Sequence, residues 1–507
     1  MSPTGHWLTR FVLLRLLGFV YAAAFLSAAV QLVPLVGHAG LLPADRFLER
    51  VATHLGSRGA GFLELPTLFW LDVSDRALLV VSWAGFALAL AMALGFTNAV
   101  VCAIEWALYM SIVHIGQDWY GYGWEIQLLE TGFLAIFLCP LVDPRPFPSS
   151  PPPAPIVWCF RWLTFRIMLG AGLIKLRGDS CWRDLTCLDY HYETQPIPNP
   201  LSRWFHFLPH PVQAASVLYN HATEVGAPWA LAGPRAARLV AATMMVVFQA
   251  TLILSGNLSF LNWLTLVPIV ACFDDAALAR VLPARLVRAA EQAAARATAP
   301  SRAHRIVAWS VAALVAVLSV NPVTNLVGRR QVMNTSFDPL SLVNTYGAFG
   351  SVGRERDEIV FEGTDAEQPD DSAAWRAYEF PCKPGDPARR PCVVAPFQPR
   401  LAWQLWFAAM SSWDRYPWTV HLVAKLLHED PAILRLVERN PFPDHPPRWI
   451  RATLYRYRFA RPGPDGLWWE RTPIGPWLPP LSADDPRLRR VLDRFGWATF
   501  DSPTSNR

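Results

Sequence analysis

Charged side chains are scarce in this sequence of 507 residues. Only 17% of the residues are Asp, Glu, Lys or Arg, whereas 52% are hydrophobic. Soluble domains usually carry about a quarter of their residues as charged side chains. The shortage excludes an ordinary soluble protein and predicts a chain that lies mostly within a membrane.

Lysine is rarer still and occurs only at positions 175, 383 and 425, while arginine, alanine and proline are abundant. This bias is typical of a GC-rich genome and indicates a bacterial origin. The net charge of +5 is modest, and the basic residues gather near the ends of apolar segments. Such a distribution reports membrane topology rather than nucleic-acid binding, so we expect no nucleic-acid partner.

Sequence motifs of soluble enzymes are also missing. The chain has no Gly-x-Ser-x-Gly elbow, no phosphate-binding glycine loop and no His-Glu-x-x-His zinc motif. We therefore expect no catalytic residue, no metal ion and no cofactor. Asp189, His191 and Glu193 alternate and could ligate a metal from one face of an extended strand, but a solvated loop is the interpretation that we favour.

Apolar segments long enough to cross a bilayer recur through the first two thirds of the chain. The first could be a cleaved signal peptide, although Arg15 interrupts its apolar core and favours a retained anchor. The pattern predicts a polytopic α-helical membrane protein with about nine spans. They lie near residues 11–36, 76–96, 98–116, 124–142, 156–176, 236–255, 257–273 and 306–326, with a weaker one near 212–231.

Arginine also sets the expected orientation. The loop at 274–305 carries six arginines against three acidic residues, so the positive-inside rule places it in the cytosol. Residues 1–326 then form a multi-pass transmembrane domain with an exported loop near 177–211. Residues 327–507 form an exported soluble domain, either lumenal or periplasmic.

Within the exported part, two kinds of pattern alternate. DEIVFEG and WIRATLYRYRFA read as strands, whereas RLAWQLWFAAM and WTVHLVAKLL have helical spacing. They predict a mixed α/β, β-sandwich-like domain. Trp403, Trp406, Trp413 and Trp418 cluster here, either as packed core or as a contact surface that binds a partner.

Four of the eight cysteines lie outside the predicted spans and form two short-range pairs. Cys181 with Cys187, and Cys382 with Cys392, fall on the expected exported side, where disulfides persist. We expect a structural disulfide from each pair. Neither spacing is a Cys-x-x-Cys motif, which leaves thiol exchange as the weaker alternative.

Five ionisable residues form an intramembrane polar cluster in the sequence. Glu125 and Glu130 lie five residues apart on one span, and Arg161 and Arg166 have the same separation on the next. Five residues rise about 7.5 Å along a helix, so antiparallel neighbours could match the acids to the arginines. A structural clamp, a polar cavity for a substrate or proton, and interfacial snorkelling all remain open. Lys175, near the end of its span, could snorkel or act as a titratable amine.

Longer strings carry a family resemblance across nearly the whole chain. They are GYGWEIQLLETGFLAIFLCP, FRIMLGAGLIKLRGDSCWRDLTCLDYHYETQPIPNP, SGNLSFLNWLTLVPIVACFDD, RQVMNT, VNTYGAFGSV and CKPGDPARRPC. These strings resemble the lipase maturation factor family. The resemblance implies a non-enzymatic, chaperone-like protein of the endoplasmic reticulum membrane, or of the inner membrane in a bacterium. The implied partners are secreted lipase-like client proteins and membrane lipids.

Two other classes remain as alternatives. A polytopic membrane enzyme similar to the vitamin K-dependent carboxylase group would use Lys175 as a base, but no string matches that group. A transporter would need inverted repeats, which the sequence does not show.

Overall fold

The computed structural model describes residues 5–497 of the chain. Up to residue 327 the regular structure is helical. The α-helices are α1 (Trp7–Val36), α2 (Ala44–Leu55), α3 (Arg58–Glu64), α4 (Asp75–Leu94), α5 (Ala99–Ile115), α6 (Gly123–Leu138), α7 (Ala154–Arg177), α8 (Ser180–Arg183), α9 (Leu188–Thr194), α10 (Ser202–His206), α11 (His210–His221), α12 (Arg235–Ser255), α13 (Leu261–Val270), α14 (Asp275–Leu278), α15 (Ala284–Ala295), α16 (Arg302–Leu318) and α17 (Val320–Val327).

Five helical stretches in the described part are long and apolar enough to cross a membrane. They are α1, α4, α7, α12 and the continuous α16 and α17, while α5 and α13 are shorter apolar helices. In hydrocarbon each backbone N–H and C=O must pair within its own segment, which is why these apolar runs become helices. Five full-length spans establish the membrane class but do not by themselves give the expected count.

Helices α1 and α7 form the centre of the bundle. In the most apolar stretch of each helix, 67% of the residues of α1 and 78% of those of α7 are buried. The corresponding share is 28% for α4, for α12 and for α16 with α17. Helix α1 packs on α4 and α13, and α7 packs on α6, α13 and α16. Gly18 of α1 lies against the α4 backbone, where an added Cβ would fall 2.5 Å from the backbone nitrogen of Ala93. Small residues therefore allow close helix contact, as is usual in membranes.

The weak segment near 212–231 is helical from end to end. Helix α11 continues directly into a π-helical turn at Ala222–Gly226 and a 3-10 helix at Ala227–Ala232. Gly233 and Pro234 then separate this stretch from α12. A π-helical turn inside a helix is rare and often marks a functional position.

The C-terminal part is one antiparallel sheet with helices packed on it. Strands β1 (Arg356–Thr364), β2 (Arg376–Ala377), β3 (Trp449–Phe459) and β4 (Trp469–Leu481) are arranged in the order β2-β1-β3-β4. The helices are α18 (Arg400–Ala409), α19 (Trp418–Leu427), α20 (Pro431–Leu434) and α21 (Pro486–Phe495). The sequence predictions of β1, β3, α18 and α19 are confirmed.

The expectation of a β-sandwich is wrong, because residues 328–497 contain one sheet of four strands. Helix α18 packs directly against β1, which is buried along almost its whole length. Alternation in a sequence identifies a strand, but it does not say whether a second sheet or a helix covers the strand. One apolar core continues from the bundle into this C-terminal part, including Leu17, Leu128, Leu264, Trp403 and Trp418.

Candidate functional site

Glu130 and Arg166 form an ion pair in the interior of the bundle, and this is the one match between an acid of α6 and an arginine of α7 among those that the sequence predicts. Each side chain is 1% exposed. The chain that follows α17 binds to this pair. Tyr346 donates from its hydroxyl to Glu130 at 2.6 Å, and the backbone N–H of Asn344 donates to the same carboxylate at 3.0 Å. Arg166 donates to the carbonyl of Asn344 at 2.7 Å, so the pair holds this segment on the bundle.

The expectation that both acids of α6 pair with the two arginines of α7 is wrong for Glu125 and Arg161. Glu125 accepts from Arg400 of α18 at 2.9 Å and from the hydroxyl of Tyr109. Arg161 instead donates to the backbone carbonyl of Ala271 at 2.8 Å. Equal spacing relates only consecutive helices, whereas Arg400 is 275 residues away from Glu125 in sequence. Both carboxylates of α6 therefore attach the C-terminal part to the bundle.

Lys175 lies in the protein interior, so the snorkelling interpretation is wrong. It is 4% exposed. Its Nζ donates to both carboxylate oxygens of Glu224 at 2.6 Å and to Oδ1 of Asn220 at 3.1 Å. Sequence reasoning missed Glu224 because it stands in the weakly apolar segment, at the π-helical turn. A buried lysine needs such a partner, because an unpaired charge is very costly in this environment.

Both expected cysteine pairs are bonded in the structure. The Cα–Cα distances are 4.7 Å for Cys181–Cys187 and 5.3 Å for Cys382–Cys392. The Cys181–Cys187 bond closes a short loop that contains the buried Trp182. Next to the Cys382–Cys392 bond, the carbonyl of Cys392 accepts a hydrogen bond from Asn257 at 2.9 Å. Each disulfide therefore stiffens a loop near the junction of the two parts.

Asp189, His191 and Glu193 lie on helix α9, so the favoured solvated loop and the alternative of an extended strand are both wrong. Asp189 pairs with His210, and Glu193 accepts from the backbone N–H of Phe459 at 2.7 Å. His191 is buried against the ring of Phe349. Burial, followed by the charge of Lys175, lowers the pKa of His191 to about 4. Within residues 5–497 the structure shows no cluster of three or more potential metal ligands.

Two of the four tryptophans proposed as contact residues belong to the core. Trp403 is 3% exposed and packs edge-on against Tyr122 and Trp124, and Trp418 is completely buried. The contact interpretation is wrong for both. Trp406 is half-buried and donates from its indole to the carbonyl of Thr194 at 3.1 Å, and Trp413 is 36% exposed. These two remain candidates for contact.

A cavity of about 470 Å³ lies where α18 meets the bundle and the segment 346–353. We call it the junction groove. Aromatic rings of Trp124, Trp406 and Phe407 line it, and the half-exposed side chains of Met333 and Met410, 38% and 58% exposed, lie at its edge. Methionine is flexible and polarizable, so such an edge can adapt to apolar partners of different shape. Sequence reasoning missed both methionines, although the strings RQVMNT and RLAWQLWFAAM contain them.

Comparison with known proteins covers both parts of the chain. The sequence model for the lipase maturation factor transmembrane domain matches residues 8–280, and the one for the lipase maturation factor C-terminal domain matches residues 342–479. No solved structure matches the chain.

Curated relatives match along nearly their full length. Lipase maturation factor 1 of Bos taurus is 48% identical over 511 residues, with 95% of this chain and 90% of the relative covered. The Homo sapiens protein of the same name is 46% identical, with 97% and 90% covered. Lipase maturation factor 2 of Homo sapiens is 31% identical, with 97% and 85% covered.

Proposed function

The chain belongs to the lipase maturation factor family, and we propose on this premise that it helps secreted lipases of its own organism to fold and assemble. It is a multi-pass membrane protein with a C-terminal domain of the same family. The observation that carries the proposal is the similarity to lipase maturation factor 1 over 95% of the chain. The role is that of a chaperone rather than of a catalyst.

The junction groove is the best candidate for the client-binding surface. Incompletely folded clients expose apolar segments, and a chaperone must present an apolar surface to them. Trp406, Phe407, Met333 and Met410 supply that surface beside the exported loop. Pairing of a client strand with the sheet edge is less suitable, because edge strand β4 contains four prolines that lack a backbone N–H.

The geometry of Lys175 does not favour the carboxylase-type alternative. A general base needs an accessible lone pair near its substrate. The Lys175 amine instead donates hydrogen bonds to both carboxylate oxygens of Glu224 and to the amide oxygen of Asn220. The comparisons give that alternative no support either.

The finer topology is part of the proposal. The continuous helical stretch from 210 to 232 supplies the additional crossing that the positive-inside count requires, which gives about nine spans in all. Residues 327–507 and the loop near 177–211 then face the exported side. The membrane is the endoplasmic reticulum membrane by family similarity, or the inner membrane if the organism is a bacterium.

Substitutions at the edge of the groove test client binding. We expect Met333→Asp with Met410→Asp to reduce the amount of lipase crosslinked to the protein in its native host by roughly tenfold, because a charge at a desolvated contact is unfavourable. Ile474→Asp on β4, at a side chain that is 48% exposed and outside the groove, is the matched control. Secreted lipase activity should fall with the captured lipase.

Yield and thermal stability of the purified protein separate loss of binding from loss of folding. Unchanged lipase capture by the folded double variant would refute the groove as the client site. Equal loss of capture in the Ile474→Asp control would show that the effect is not specific to the groove.

A further inference from the structure

A second cavity, of about 390 Å³, lies inside the helical part. We call it the bundle cavity. It is enclosed by α7, α11, α12 and α13, and α9 closes one side of it. Val212 and Ala215 of α11 line it and are exposed, so the cavity opens beside α11, opposite the last turns of α12. Helix α12 is a candidate membrane span, which places this opening near the end of a span.

Most of the bundle cavity is lined by apolar side chains. They include Ile167, Met168, Tyr219, Phe248, Leu252 and Leu261. The volume falls within the range of about 300 to 1,000 Å³ that is typical of small-molecule sites. Its walls therefore suit a hydrocarbon chain rather than a polar solute.

Two buried amide side chains offer the cavity one N–H donor and one acceptor oxygen that no strong partner engages. Gln249 is 4% exposed and Asn262 is 5% exposed. Asn262 donates to Oε1 of Gln249 at 2.7 Å. Nε2 of Gln249 donates one N–H to the weak sulfur acceptor of Met168 at 3.9 Å, which leaves its second N–H without an acceptor among the described residues. The amide group of Asn262 is engaged through its Nδ2, and no described residue donates to its Oδ1. Buried amides usually satisfy all of their hydrogen-bonding groups, so these two atoms are available to a ligand.

The ionisable groups that line the cavity leave it without net charge. Lys175 and Glu224 both line it and neutralise each other through two contacts of 2.6 Å. His191 lines it as well, and its low pKa keeps the ring neutral at physiological pH. An anionic or cationic ligand would find no counter-charge in the cavity. An uncharged polar head group that forms hydrogen bonds there would lose little free energy on leaving water.

We propose that the bundle cavity is a binding site for an uncharged amphiphile of the acylglycerol class. The acyl chain lies along α7 and α12 among the apolar residues. A hydroxyl of the head group donates to Oδ1 of Asn262, and an ester or hydroxyl oxygen accepts from Nε2 of Gln249. The π-helical turn that carries Glu224 bounds this site.

The site also adjoins the junction groove. Ala171, His191 and Phe349 line both cavities. An acylglycerol in the bundle cavity therefore contacts the rear wall of the junction groove and supports the residues that line it. This ligand is not a client, so the site stands independently of the proposed client binding.

Photolabelling of the purified full chain tests the site. The probe is a monoacylglycerol whose acyl chain bears a diazirine, used in neutral detergent at pH 8.5. We expect the label on peptides from α7 and α12, along which the acyl chain lies. Unlabelled monoacylglycerol should compete at a concentration roughly tenfold lower than the ionised fatty acid of the same chain length, since the cavity offers no unpaired cation. Equal or stronger competition by the fatty acid would overturn the proposal.

Matched variants distinguish the cavity from general lipid contact. Ala215→Trp fills the opening and should abolish the labelling. Ala250→Trp, at an exposed alanine of α12 that does not line the cavity, should leave it unchanged. Gln249→Leu with Asn262→Leu keeps the apolar walls and should weaken monoacylglycerol binding by roughly three- to tenfold. Unchanged labelling in Ala215→Trp, or unchanged affinity in a folded Gln249→Leu, Asn262→Leu protein, would refute the site.

Discussion

At the scale of single residues, the polar cluster acts by joining two parts of the molecule. Glu130 and Arg166 hold the segment around Asn344, and Glu125 holds Arg400. Buried ion pairs contribute little net stability relative to apolar replacements, but removal of one partner leaves the other charge unpaired. We therefore expect the cluster to make the docked arrangement specific, and its single substitutions to be far more damaging than its double substitutions.

The two arginines of α7 provide a matched test of this account. We expect Arg166→Leu to lower the free energy of unfolding by about 3 to 5 kcal/mol, because Glu130 loses its partner. Arg161→Leu should cost clearly less, since Arg161 donates to a backbone carbonyl and its loss leaves no unpaired acid. Chemical denaturation of the detergent-solubilised protein measures both.

The double variant Arg166→Leu, Glu130→Leu is the control for that experiment. It should recover part of the loss, because neither charge is then left unpaired. Equal effects of Arg161→Leu and Arg166→Leu, or no recovery in the double variant, would contradict the role assigned to the pair.

At the scale of elements, the proposed topology depends on the stretch from 210 to 232. Neither α11 with 12 residues nor the π-helical and 3-10 turns that follow it would cross a bilayer alone. Joined end to end, they reach the length of about 20 residues that a span needs. The buried contact between Lys175 and Glu224 favours packing of this stretch against the bundle in spite of its weak hydropathy.

Thiol labelling of intact, correctly oriented vesicles tests that crossing. Single cysteines replace the exposed Leu208 before the stretch and the exposed Ala237 after it. A membrane-impermeant maleimide added from the exported side should label Leu208→Cys and not Ala237→Cys, which becomes reactive only after permeabilisation. The native cysteines are disulfide-bonded or buried and give little background. Labelling of both positions from the same side would eliminate the crossing.

At the scale of the whole molecule, the bundle and the C-terminal domain share one apolar core. The membrane part therefore cannot be a passive anchor, because the walls of the junction groove come from both parts. Trp403 and Trp418, which resemble a contact surface in the sequence, are buried in this shared core. The protein should consequently unfold as one unit.

Acid should destabilise the whole folded protein. Burial lowers the pKa of His191 and of His421 to about 4, from an ordinary value near 6.5. As the pH falls, the unfolded chain therefore binds protons at these histidines before the folded protein does. The free energy of unfolding keeps its full value above pH 6.5 and decreases as the pH falls from 6.5 towards 4. We expect a lower thermal midpoint at pH 5 than at pH 7.5, and His421→Phe should reduce the difference. An equal midpoint at both pH values would contradict this prediction.

The sequence by itself determined the membrane class, the family, the local disulfide pairs and the principal strands and helices. These features depend on composition, on residue periodicity or on neighbours close in the chain. Cys181 and Cys187, six residues apart, are one example. An acid–arginine contact between α6 and α7 was predictable for the same reason, since the two helices are consecutive, although the sequence did not say which acid pairs with which arginine.

Only the tertiary structure decided the partners of Glu125 and Lys175, the burial of Trp403 and Trp418, and the two cavities. Arg400 reaches Glu125 across 275 residues, and Glu224 reaches Lys175 from a segment whose own pattern is weak. Such contacts depend on how distant elements pack, and no local period encodes them. The groove and the bundle cavity arise where those distant elements meet, so the sequence contained their residues but not their arrangement.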